Sequence, residues 1–280
     1  MGTLYLVATP IGNLEDLSSR ALRILRQVSL IAAEDTRQTK KLLNHFDIHT
    51  PLTSYFEHNK LSKLEGILAR LEEGDVALVS DAGSPALNDP GYELVRAALN
   101  VGHRISPVPG PASPIAALTV SGLPTDTFLY LGYLPRKSVE RIKLIDQIAD
   151  LPYTLIFLET PHRLLDSLGD LEHILGDREI ALAREMTKLH EEIWRGKLAE
   201  ARRYFKSPRG EFVLVIKGKT KIGNKKWEED ELLAAIHTGL KAGDTSSALA
   251  ARLAQESGWP RRKIYKLTTQ RDLDSLYKSH

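Results

Sequence analysis

Residues 76–91 read VALVSDAGSPALNDPG and set the architecture expected for the chain around them. The apolar run over 76–80 is typical of a parallel strand that is covered on both faces. It stops at Asp81, and mostly Gly, Pro, Asp, Ser and Asn follow before a helical pattern begins at Tyr92. These are also ordinary turn residues, but a strand-to-helix connection usually takes only ~2 to 6 residues. Since ligands of open α/β sheets bind just beyond such strand ends, we predict a binding loop here.

The same strand, turn and helix pattern repeats through the first 120 residues. Short apolar runs that end at turn residues predict strands at 4–8, 30–33, 51–54, 76–80 and 104–108. Because helical patterns separate these runs, they predict a doubly wound, mostly parallel sheet with helices on both faces. Three loops follow strands of this sheet, at 9–16, 81–91 and 109–115. All three can face one crevice, because carboxyl ends of parallel strands meet at one edge.

The remainder of the chain predicts a second sheet and a helical end. Apolar runs predict strands at 128–131, 154–158, 180–183, 192–195 and 212–216. The late strands are closely spaced, which favours a mixed sheet with antiparallel neighbours. Beyond a basic linker at 217–226, helical patterns at 229–240, 245–256 and 260–267 have the spacing of a helix-turn-helix. We therefore divide the chain into an α/β domain at 1–120, a second α/β domain at 121–220 and a helical domain at 221–280.

Composition narrows the classes of protein that the chain can form. Its 280 residues favour two or three domains. The absence of cysteine excludes disulfides, thiolate metal sites and cysteine nucleophiles, and it suits a reducing cytoplasm. No apolar stretch approaches the ~18 residues that span a bilayer, so we expect a soluble cytoplasmic protein without a membrane partner. The net charge of +2 does not predict nucleic-acid binding, so only local basic clusters can argue for it.

The glycine spacing excludes several phosphate-binding sites. None of the 19 glycines is followed by another two positions later, so the Gly-x-Gly loops of dinucleotide-binding proteins and protein kinases are absent. The nine histidines do not pair at metal-ligand spacing, and we expect no metal. If the three loops share a crevice, backbone and small side chains hold the ligand there. This arrangement suits a neutral, extended cofactor better than a triphosphate.

Five motifs occur along the chain in this order: ATPIGNLED at 8–16, AEDTR at 33–37, VSDAGSPALNDPG at 79–91, VPGPASPIAAL at 108–118 and ETPHR at 159–163. Together they resemble the tetrapyrrole methylase superfamily and, within it, the ribosomal RNA small subunit methyltransferase I family. The resemblance covers residues 3 to about 218, and the helical end matches the family's appended domain. It implies two α/β domains with S-adenosylmethionine in the cleft between them, a homodimer and no metal. The implied reaction is 2′-O-methylation of a cytidine ribose in the decoding region of small-subunit (16S) ribosomal RNA.

The resemblance also implies which residues contact the cofactor, S-adenosylmethionine, or its product S-adenosylhomocysteine. In the first half they follow three predicted strands: Thr9, Pro10, Asp81, Ala82, Gly83, Ser84, Ala112, Ser113 and Ile115. In the second half the family's contacts match looser motifs, at Leu158, Met186 and Val215. Ser84 departs from the family's usual threonine but keeps a hydroxyl.

Methyl transfer to a ribose hydroxyl calls for charged residues near the reacting atoms. The transfer is an in-line displacement in which positioning supplies much of the acceleration, but the hydroxyl is a weak nucleophile and needs a base or a cation nearby. The candidates are charged residues at predicted strand ends: Glu34, Asp35, Arg37, Glu159 and Arg163. We hypothesise that Asp35 or Glu159 orients the hydroxyl. Arg37 and Arg163 would then hold RNA phosphates. Alternatively, both motifs are salt-bridged loops or helix starts that fix the shape of the cleft.

The helical end carries a basic cluster at the start of its last helix: Arg261, Arg262, Lys263 and Lys266. We expect this cluster to bind phosphates of small-subunit ribosomal RNA, while single-stranded bases reach the cleft. The alternative is a packing module for the homodimer. Two other functions stay open at this point. One is a methylase of a corrin or other tetrapyrrole precursor, and the other is a ligand-gated helix-turn-helix regulator of transcription.

Overall fold

The computed structural model describes residues 1–56, 60–89, 91–219 and 227–269. The chain forms two compact units, Met1–Lys219 and Thr220–His280. Pro90 of the predicted loop, residues 220–226 of the predicted linker and residues 270–280 of the predicted helical domain lie outside the described residues. The division of the first unit near residue 121 stays a prediction.

The first sheet of the unit Met1–Lys219 is parallel. Its strands are β1 (Thr3–Val7), β2 (Leu30–Ala33), β3 (Leu52–Ser54), β4 (Val76–Val79) and β5 (Arg104–Val108). They lie in the order β3-β2-β4-β1-β5, and each neighbouring pair is parallel. All four residues of β4, the central strand, are buried. The doubly wound sheet predicted from the sequence is confirmed.

Helices cover both faces of this sheet. They are α1 (Ser19–Gln27), α2 (Thr36–His45), α3 (Lys60–Glu73) and α4 (Tyr92–Asn100). Leu25 and Leu43 bring α1 and α2 into one hydrophobic core, and Leu71 and Leu94 bring α3 and α4 into another. All four leucines are buried to 2% exposure or less, and each contributes about 1.5–3 kcal/mol through removal from water. The strands are therefore fixed from both sides, and their carboxyl ends are held in place.

The second sheet of this unit is mixed. Its strands are β6 (Phe128–Tyr133), β7 (Thr154–Glu159), β8 (Glu179–Arg184), β9 (Glu192–Lys197) and β10 (Phe212–Ile216). They lie in the order β6-β7-β10-β8-β9, with β6 parallel to β7 and the other pairs antiparallel. One face packs against α6 (Ser138–Ile148), α7 (Leu164–Leu175) and α8 (Leu198–Tyr204). The predicted mixed sheet is confirmed.

Helix α5 (Ser113–Ser121) connects the two sheets. It follows β5 of the first sheet, but it packs on the second sheet, where Ala117 and Leu118 share a hydrophobic core with Ile156 and Val215. Through α5, the second sheet is therefore held next to the loop that follows β5 of the first sheet.

Strand β6 is longer than the predicted 128–131 because it contains a bulge. Its register with β7 shifts between Tyr130 and Tyr133, and Gly132 has a φ of 65°. An extra residue in one strand of a pair bends that strand and redirects its side chains. Glycine is also a common strand terminator, which explains why the sequence pattern ended the strand too early.

The unit Thr220–His280 contains three described helices, α9 (Glu229–Lys241), α10 (Ser246–Ser257) and α11 (Arg261–Thr269). Their common core includes Ile236, Leu253, Trp259 and Ile264. Gly258 ends α10 in the left-handed conformation, with a φ of 69°. The helical C-terminal segment predicted from the sequence is confirmed. Among the described helices of the chain, none is long and apolar enough to cross a bilayer.

Candidate active site

The loops that follow β1, β4 and β5 meet at one edge of the first sheet. The Thr9 N–H donates to the Gly83 carbonyl at 2.9 Å, and the Gly83 N–H donates to the Thr9 carbonyl at 3.0 Å. The Thr9 hydroxyl also donates to the Ser80 carbonyl at 3.2 Å. The loop after β5 joins them, since the Ser84 hydroxyl donates to the Pro111 carbonyl at 3.3 Å. The three loops thus share one crevice, as adjacent parallel strands require.

The charged loop after β2 is bound to the loop after β4. The Asp35 N–H donates to Asp81 Oδ1 at 2.9 Å, and the Asp81 N–H donates to Glu34 Oε2 at 3.2 Å. Burial raises the pKa of the Glu34 carboxyl and also that of the Asp81 carboxyl. The charges of neighbouring carboxylates raise both pKa values as well. A cation bound at this edge would be favourable, because it would offset that repulsion.

Asp35 and Arg37 form an ion pair at the start of α2, in which Arg37 is exposed and Asp35 is partly buried. Asp35 caps the helix by accepting from the Arg37 N–H at 2.8 Å, and the Arg37 guanidinium donates to its two oxygens at 3.1 and 2.7 Å. These hydrogen bonds lower the pKa of the Asp35 carboxyl to about 2. Asp35 is therefore ionised at neutral pH, which suits orienting a hydroxyl better than removing its proton. The Arg37 side chain is 86% exposed and accessible to a phosphate.

Glu159 ends β7, and its carboxylate is completely buried. Its Oε1 accepts from Arg163 Nε at 2.9 Å and Nη2 at 2.6 Å, and from the Thr160 N–H at 2.7 Å. Its Oε2 accepts from the Ser167 hydroxyl at 2.6 Å. Arg163 Nη1 also donates to the Leu134 carbonyl at 3.2 Å. These contacts join β7, the start of α7 and the segment after β6, which favours the shape-fixing interpretation of this motif.

A cavity of about 470 Å³ has walls from both sheets, and we call it the inter-sheet cavity. Its volume is within the range of small-molecule sites. The first wall comes from the loops after β1, β2 and β4 and from the start of α5: Ile11, Glu34, Asp81, Ala82, Gly83, Ser84, Ala112 and Ser113. The second wall comes from the second sheet and its loops: Tyr130, Tyr133, Leu158, Arg184, Glu185, Met186, Lys188 and Glu211.

The structure brings most of the predicted cofactor residues to this cavity and leaves four outside it. Those lining it are Asp81, Ala82, Gly83, Ser84, Ala112, Ser113, Leu158 and Met186. Thr9 and Pro10 line a different cavity. Val215 is completely buried in the core beneath α5, and Ile115 is 45% exposed on that helix. Neither of these two lines the inter-sheet cavity.

Several lining residues were missed from the sequence, above all Asp89, Tyr130 and Glu211. Burial, followed by the Glu34 charge, raises the pKa of Asp89 to about 6. Burial also raises the pKa of Tyr130 to about 12. Glu211 comes before β10, at the amino end of a strand, whereas the sequence predicts binding residues mainly at carboxyl ends. Because β10 runs antiparallel to β7, that end lies beside the carboxyl end of β7. A polar residue next to the apolar run 212–216 was the available signal.

Two close approaches join the loops of the first sheet to the second. A Cβ on Gly132, in the bulge of β6, would lie 2.2 Å from Asn88 Nδ2, so the loop after β4 touches this strand. A Cβ on Gly12 would lie 2.8 Å from the Met186 carbonyl oxygen and 2.6 Å from Lys188 Cγ. Real Cβ atoms do not approach other atoms so closely, so both contacts depend on glycine. The cavity walls are thereby held together at two points.

The lining of the inter-sheet cavity carries more acidic than basic side chains. The acidic lining residues are Glu34, Asp81, Asp89, Glu185 and Glu211, and the basic ones are Arg184 and Lys188. Both basic side chains already pair with a carboxylate, since Lys188 Nζ lies 3.1 Å from Glu185 Oε1 and Arg184 pairs with Glu192. Within the described ranges, no group of three or more His, Cys, Asp or Glu side chains could hold a metal ion. The cavity therefore favours a cationic organic ligand.

A second cavity, of about 450 Å³, lies between the loop after β1 and helix α2, and we call it the α2 cavity. The loops after β1 and β4 contribute Thr9, Pro10, Leu14, Ser80 and Asp81. Helix α2 contributes Gln38, Thr39, Lys41, Leu42 and His45. Asp81 lines both cavities.

The predicted basic cluster of the second unit lies on α11, and all four of its side chains are exposed. Arg261 donates from Nη2 to the Ser247 hydroxyl at 3.3 Å. Lys263 Nζ lies 4.4 Å from the centre of the Trp259 ring, as a cation–π contact. Arg262 and Lys266 complete the cluster. A basic helix face of this kind suits phosphate binding through charge.

Comparison with known proteins gives one family over most of the chain. The family model described as Tetrapyrrole (Corrin/Porphyrin) Methylases matches residues 3–202. A relative from Synechocystis sp., named ribosomal RNA small subunit methyltransferase I, is 46% identical over 278 residues, which cover 98% of this chain and 100% of the relative. A relative of the same name from Bacillus subtilis is 42% identical and covers 95% of this chain and 93% of its own.

A third relative of that name, from Thermotoga maritima, is 48% identical over 222 residues, which make up 78% of this chain and 100% of the relative. The whole of that protein therefore matches only part of this one.

Solved structures share the fold at lower identity. A crystal structure of diphthine synthase matches with a TM-score of 0.64 at 14% identity, over 78% of this chain and 91% of that one. The methyltransferase CobJ matches with a TM-score of 0.59 at 19% identity, over 79% of this chain and 96% of that one. At these identities the likeness concerns the fold alone. From the identity to its relatives and the family match, the chain belongs to the ribosomal RNA small subunit methyltransferase I family of the tetrapyrrole methylases, which are S-adenosylmethionine-dependent methyltransferases.

Proposed function

We propose that this chain transfers a methyl group from S-adenosylmethionine to the ribose 2′-hydroxyl of a cytidine in the decoding region of small-subunit ribosomal RNA. The names of its relatives support the class of substrate. The structural observation that carries the proposal is the inter-sheet cavity, whose lining combines small residues with an excess of carboxylates. Both features suit a methyl donor that is bulky and positively charged.

The lining residues fit S-adenosylmethionine. Asp89 is partly withdrawn from water, and the pKa of both Asp89 and Asp81 is raised, so a bound cation would favour the ionised form of each. Ala82 has a short side chain and Gly83 has none, so a ligand can approach the backbone. Helix α5 begins at Ser113 without a side-chain cap, which leaves its first turn to donate N–H groups to a ligand. When bound, S-adenosylmethionine supplies an electrophilic methyl group on a sulfonium.

The residues at the edge of the first sheet would position the acceptor. We assign orientation of the hydroxyl to Asp35, which stays ionised, and contact with an RNA phosphate to the exposed Arg37. Asp81 would accept the hydroxyl proton, because a raised pKa makes a carboxylate the better base. Glu159 and Arg163 would act indirectly. Their charges satisfy each other, and they hold the end of β7 against the start of α7.

The basic cluster on α11 would add affinity for RNA without reading its sequence. Phosphate contacts position a protein on nucleic acid, whereas base contacts specify the site. The Thermotoga maritima relative, which matches 78% of this chain over its whole length, suggests that the reaction itself does not need every part of the chain. We propose that Arg262 and Lys266 increase RNA affinity and leave the chemical step unchanged.

The proposal is tested by giving the purified protein labelled S-adenosylmethionine together with small ribosomal subunits, duplex DNA or a tetrapyrrole precursor. We expect label only in the subunit RNA. A methylated 2′-hydroxyl cannot take part in alkaline cleavage, so the labelled nucleotide should appear as an alkali-resistant dinucleotide. Transfer to the tetrapyrrole, or to the base instead of the ribose, would overturn the proposal.

We also propose that the protein is cytoplasmic, as its composition indicates, and that it forms a homodimer, as the family resemblance implies. Light scattering after gel filtration should give about twice the chain mass of 31.2 kDa. A mass of one chain at working concentrations would contradict the dimer.

A further inference from the structure

The α2 cavity differs in charge from the inter-sheet cavity. Lys41 and His45 line it from one face of α2, because residues four apart on a helix lie above each other. Asp81 is the carboxylate among its lining residues, whereas five carboxylates line the inter-sheet cavity. The inter-sheet cavity therefore suits a cationic ligand, whereas the α2 cavity offers a lysine that can bind a phosphate.

The two cavities meet at Asp81. This residue lines both, and the Asp35 N–H holds its carboxylate at 2.9 Å. An in-line displacement has the methyl donor on one side of the moving group and the acceptor oxygen on the other, so it needs two adjoining binding sites. Cavities that share a carboxylate satisfy this requirement.

The other side chains of the α2 cavity match the parts of a pyrimidine nucleotide. Pro10 and Leu14 provide apolar surface from the loop after β1, and Leu42 provides it from α2, so a flat base can stack between them. Gln38 Oε1 accepts from Lys41 Nζ at 3.2 Å. With its oxygen so occupied, the Gln38 amide contributes N–H donors. These fit the N3 acceptor of cytosine, whereas uracil carries an N–H donor at N3.

We propose that the α2 cavity binds the acceptor nucleotide, an unstacked pyrimidine nucleotide of single-stranded RNA. Its base lies between Pro10 and Leu42 with its edge at Gln38, and its phosphate lies at Lys41. Its ribose then reaches Asp81 and the methyl donor. This inference rests on the proposed function for the class of substrate, and it adds the place where that substrate binds and the residues that recognise it.

The test compares Lys41→Ala with Lys40→Ala. Both changes remove one exposed positive charge from α2, but only Lys41 lines the cavity. At saturating S-adenosylmethionine, we expect Lys41→Ala to raise the KM for small ribosomal subunits and to reduce the slope of log KM against log salt by about 1. Lys40→Ala should leave both close to the wild-type values. The affinity for S-adenosylmethionine, measured by calorimetry, should be the same in all three proteins.

A second variant tests base recognition. Gln38→Ala should lower discrimination between subunits that carry cytidine and uridine at the target position by about tenfold, since a hydrogen-bonded base edge discriminates by this order. Thermal unfolding monitors the fold of each variant, and Gln38 and Lys41 are both exposed, so neither change removes core packing.

The outcomes separate this inference from the proposed function. If the wild-type protein does not methylate subunit RNA, the proposed function fails. If it does, and both Gln38→Ala and Lys41→Ala behave like Lys40→Ala, the acceptor binds elsewhere and the inference alone is wrong. If Lys41→Ala weakens S-adenosylmethionine binding as much as it raises the KM for subunits, the α2 cavity binds the donor. That result would also overturn the inference.

Discussion

The backbone N–H of Asp35 donates a 2.9 Å hydrogen bond to the carboxylate of Asp81, although 46 positions separate them in the chain. In return, the Asp81 N–H donates to the carboxylate of Glu34 at 3.2 Å. The loops after β2 and β4 therefore hold each other through charged side chains and backbone amides. Asp81 is fixed at the boundary of both cavities as a result, and its pKa is raised mainly by burial.

Asp81→Asn should reduce methyl transfer strongly. The amide oxygen can still accept from the Asp35 N–H, but the side chain can no longer take a proton. General-base catalysis contributes about 10²–10⁴-fold, so we expect kcat at saturating substrates to fall by at least about 100-fold. Asp47→Asn is the matched control, because Asp47 is an aspartate of the same unit whose side chain is 91% exposed. A kcat within a few-fold of wild type in Asp81→Asn would exclude Asp81 as the base.

Asp89 should make the folded state less stable as the pH rises. Its pKa is raised from 3.8 to about 6, so the folded protein retains this proton in a range where the unfolded chain has lost it. The protonated form therefore contributes stability below pH ~4, and the contribution is lost as the pH rises through about 6. The shift corresponds to at most ~3 kcal/mol, and solvent access reduces this to about 1–2 kcal/mol.

Asp89→Asn removes that dependence. Urea unfolding should show the variant gaining about 1–2 kcal/mol over wild type between pH 4 and pH 7.5. A constant difference between the two proteins over this range would mean that Asp89 titrates at its ordinary pKa.

The sequence predicted most of the first wall of the inter-sheet cavity but only Leu158 and Met186 of the second. Asp81 and its neighbours follow β4 directly, so a local change from apolar to polar residues was enough to find them. Tyr130 and Glu211 reach the cavity only because a bulge redirects β6 and because β10 runs antiparallel to β7. Such pairing joins residues far apart in the chain, and a local pattern does not contain it. Thr9 was predicted from the same kind of loop as Asp81, yet it lines the α2 cavity.

Gly132→Ala should both strain the backbone and displace Asn88. Gly132 has a φ of +65°, and an added Cβ would lie 2.2 Å from Asn88 Nδ2. Gly122→Ala is the matched control, because its φ is +79° but nothing lies within 4 Å of the added Cβ. We expect a loss of about 1 kcal/mol of unfolding free energy in the control. The Gly132 variant should lose more and should also bind S-adenosylmethionine more weakly.

Asn88→Ala should restore part of the Gly132→Ala loss when the two are combined, because it removes the atoms that clash. Equal stability and equal cofactor affinity in the two glycine variants would show that the contact between β6 and the loop after β4 has no energetic role.

Glu159→Ala should mainly lower the free energy of unfolding and should affect the rate of methyl transfer less. Glu159 is completely buried and accepts from Arg163, Ser167 and the Thr160 N–H, so its removal leaves a charge and two donors without their acceptor. Breaking one side of a buried ion pair typically costs about 3–5 kcal/mol. Urea unfolding of the variant measures this directly.

The control for Glu159→Ala is Glu172→Ala. This change breaks an ion pair with Arg202 in which both side chains are at least 30% exposed. That change should cost about 1 kcal/mol or less. If Glu159→Ala unfolds like wild type but transfers methyl groups far more slowly, Glu159 contacts the substrate after all, and the shape-fixing interpretation is wrong.

The α11 cluster should act on RNA affinity alone. Each phosphate contact that is lost reduces the salt dependence of binding by about one unit of slope, so the double change Arg262→Ala and Lys266→Ala should reduce it by about 2. Lys241→Ala, at the end of α9, is an exposed control in the same unit. We expect kcat at saturating RNA to stay at the wild-type value, because the role proposed for these residues is phosphate binding alone. A loss of kcat without a change in KM or salt slope would instead give the second unit a part in the chemical step.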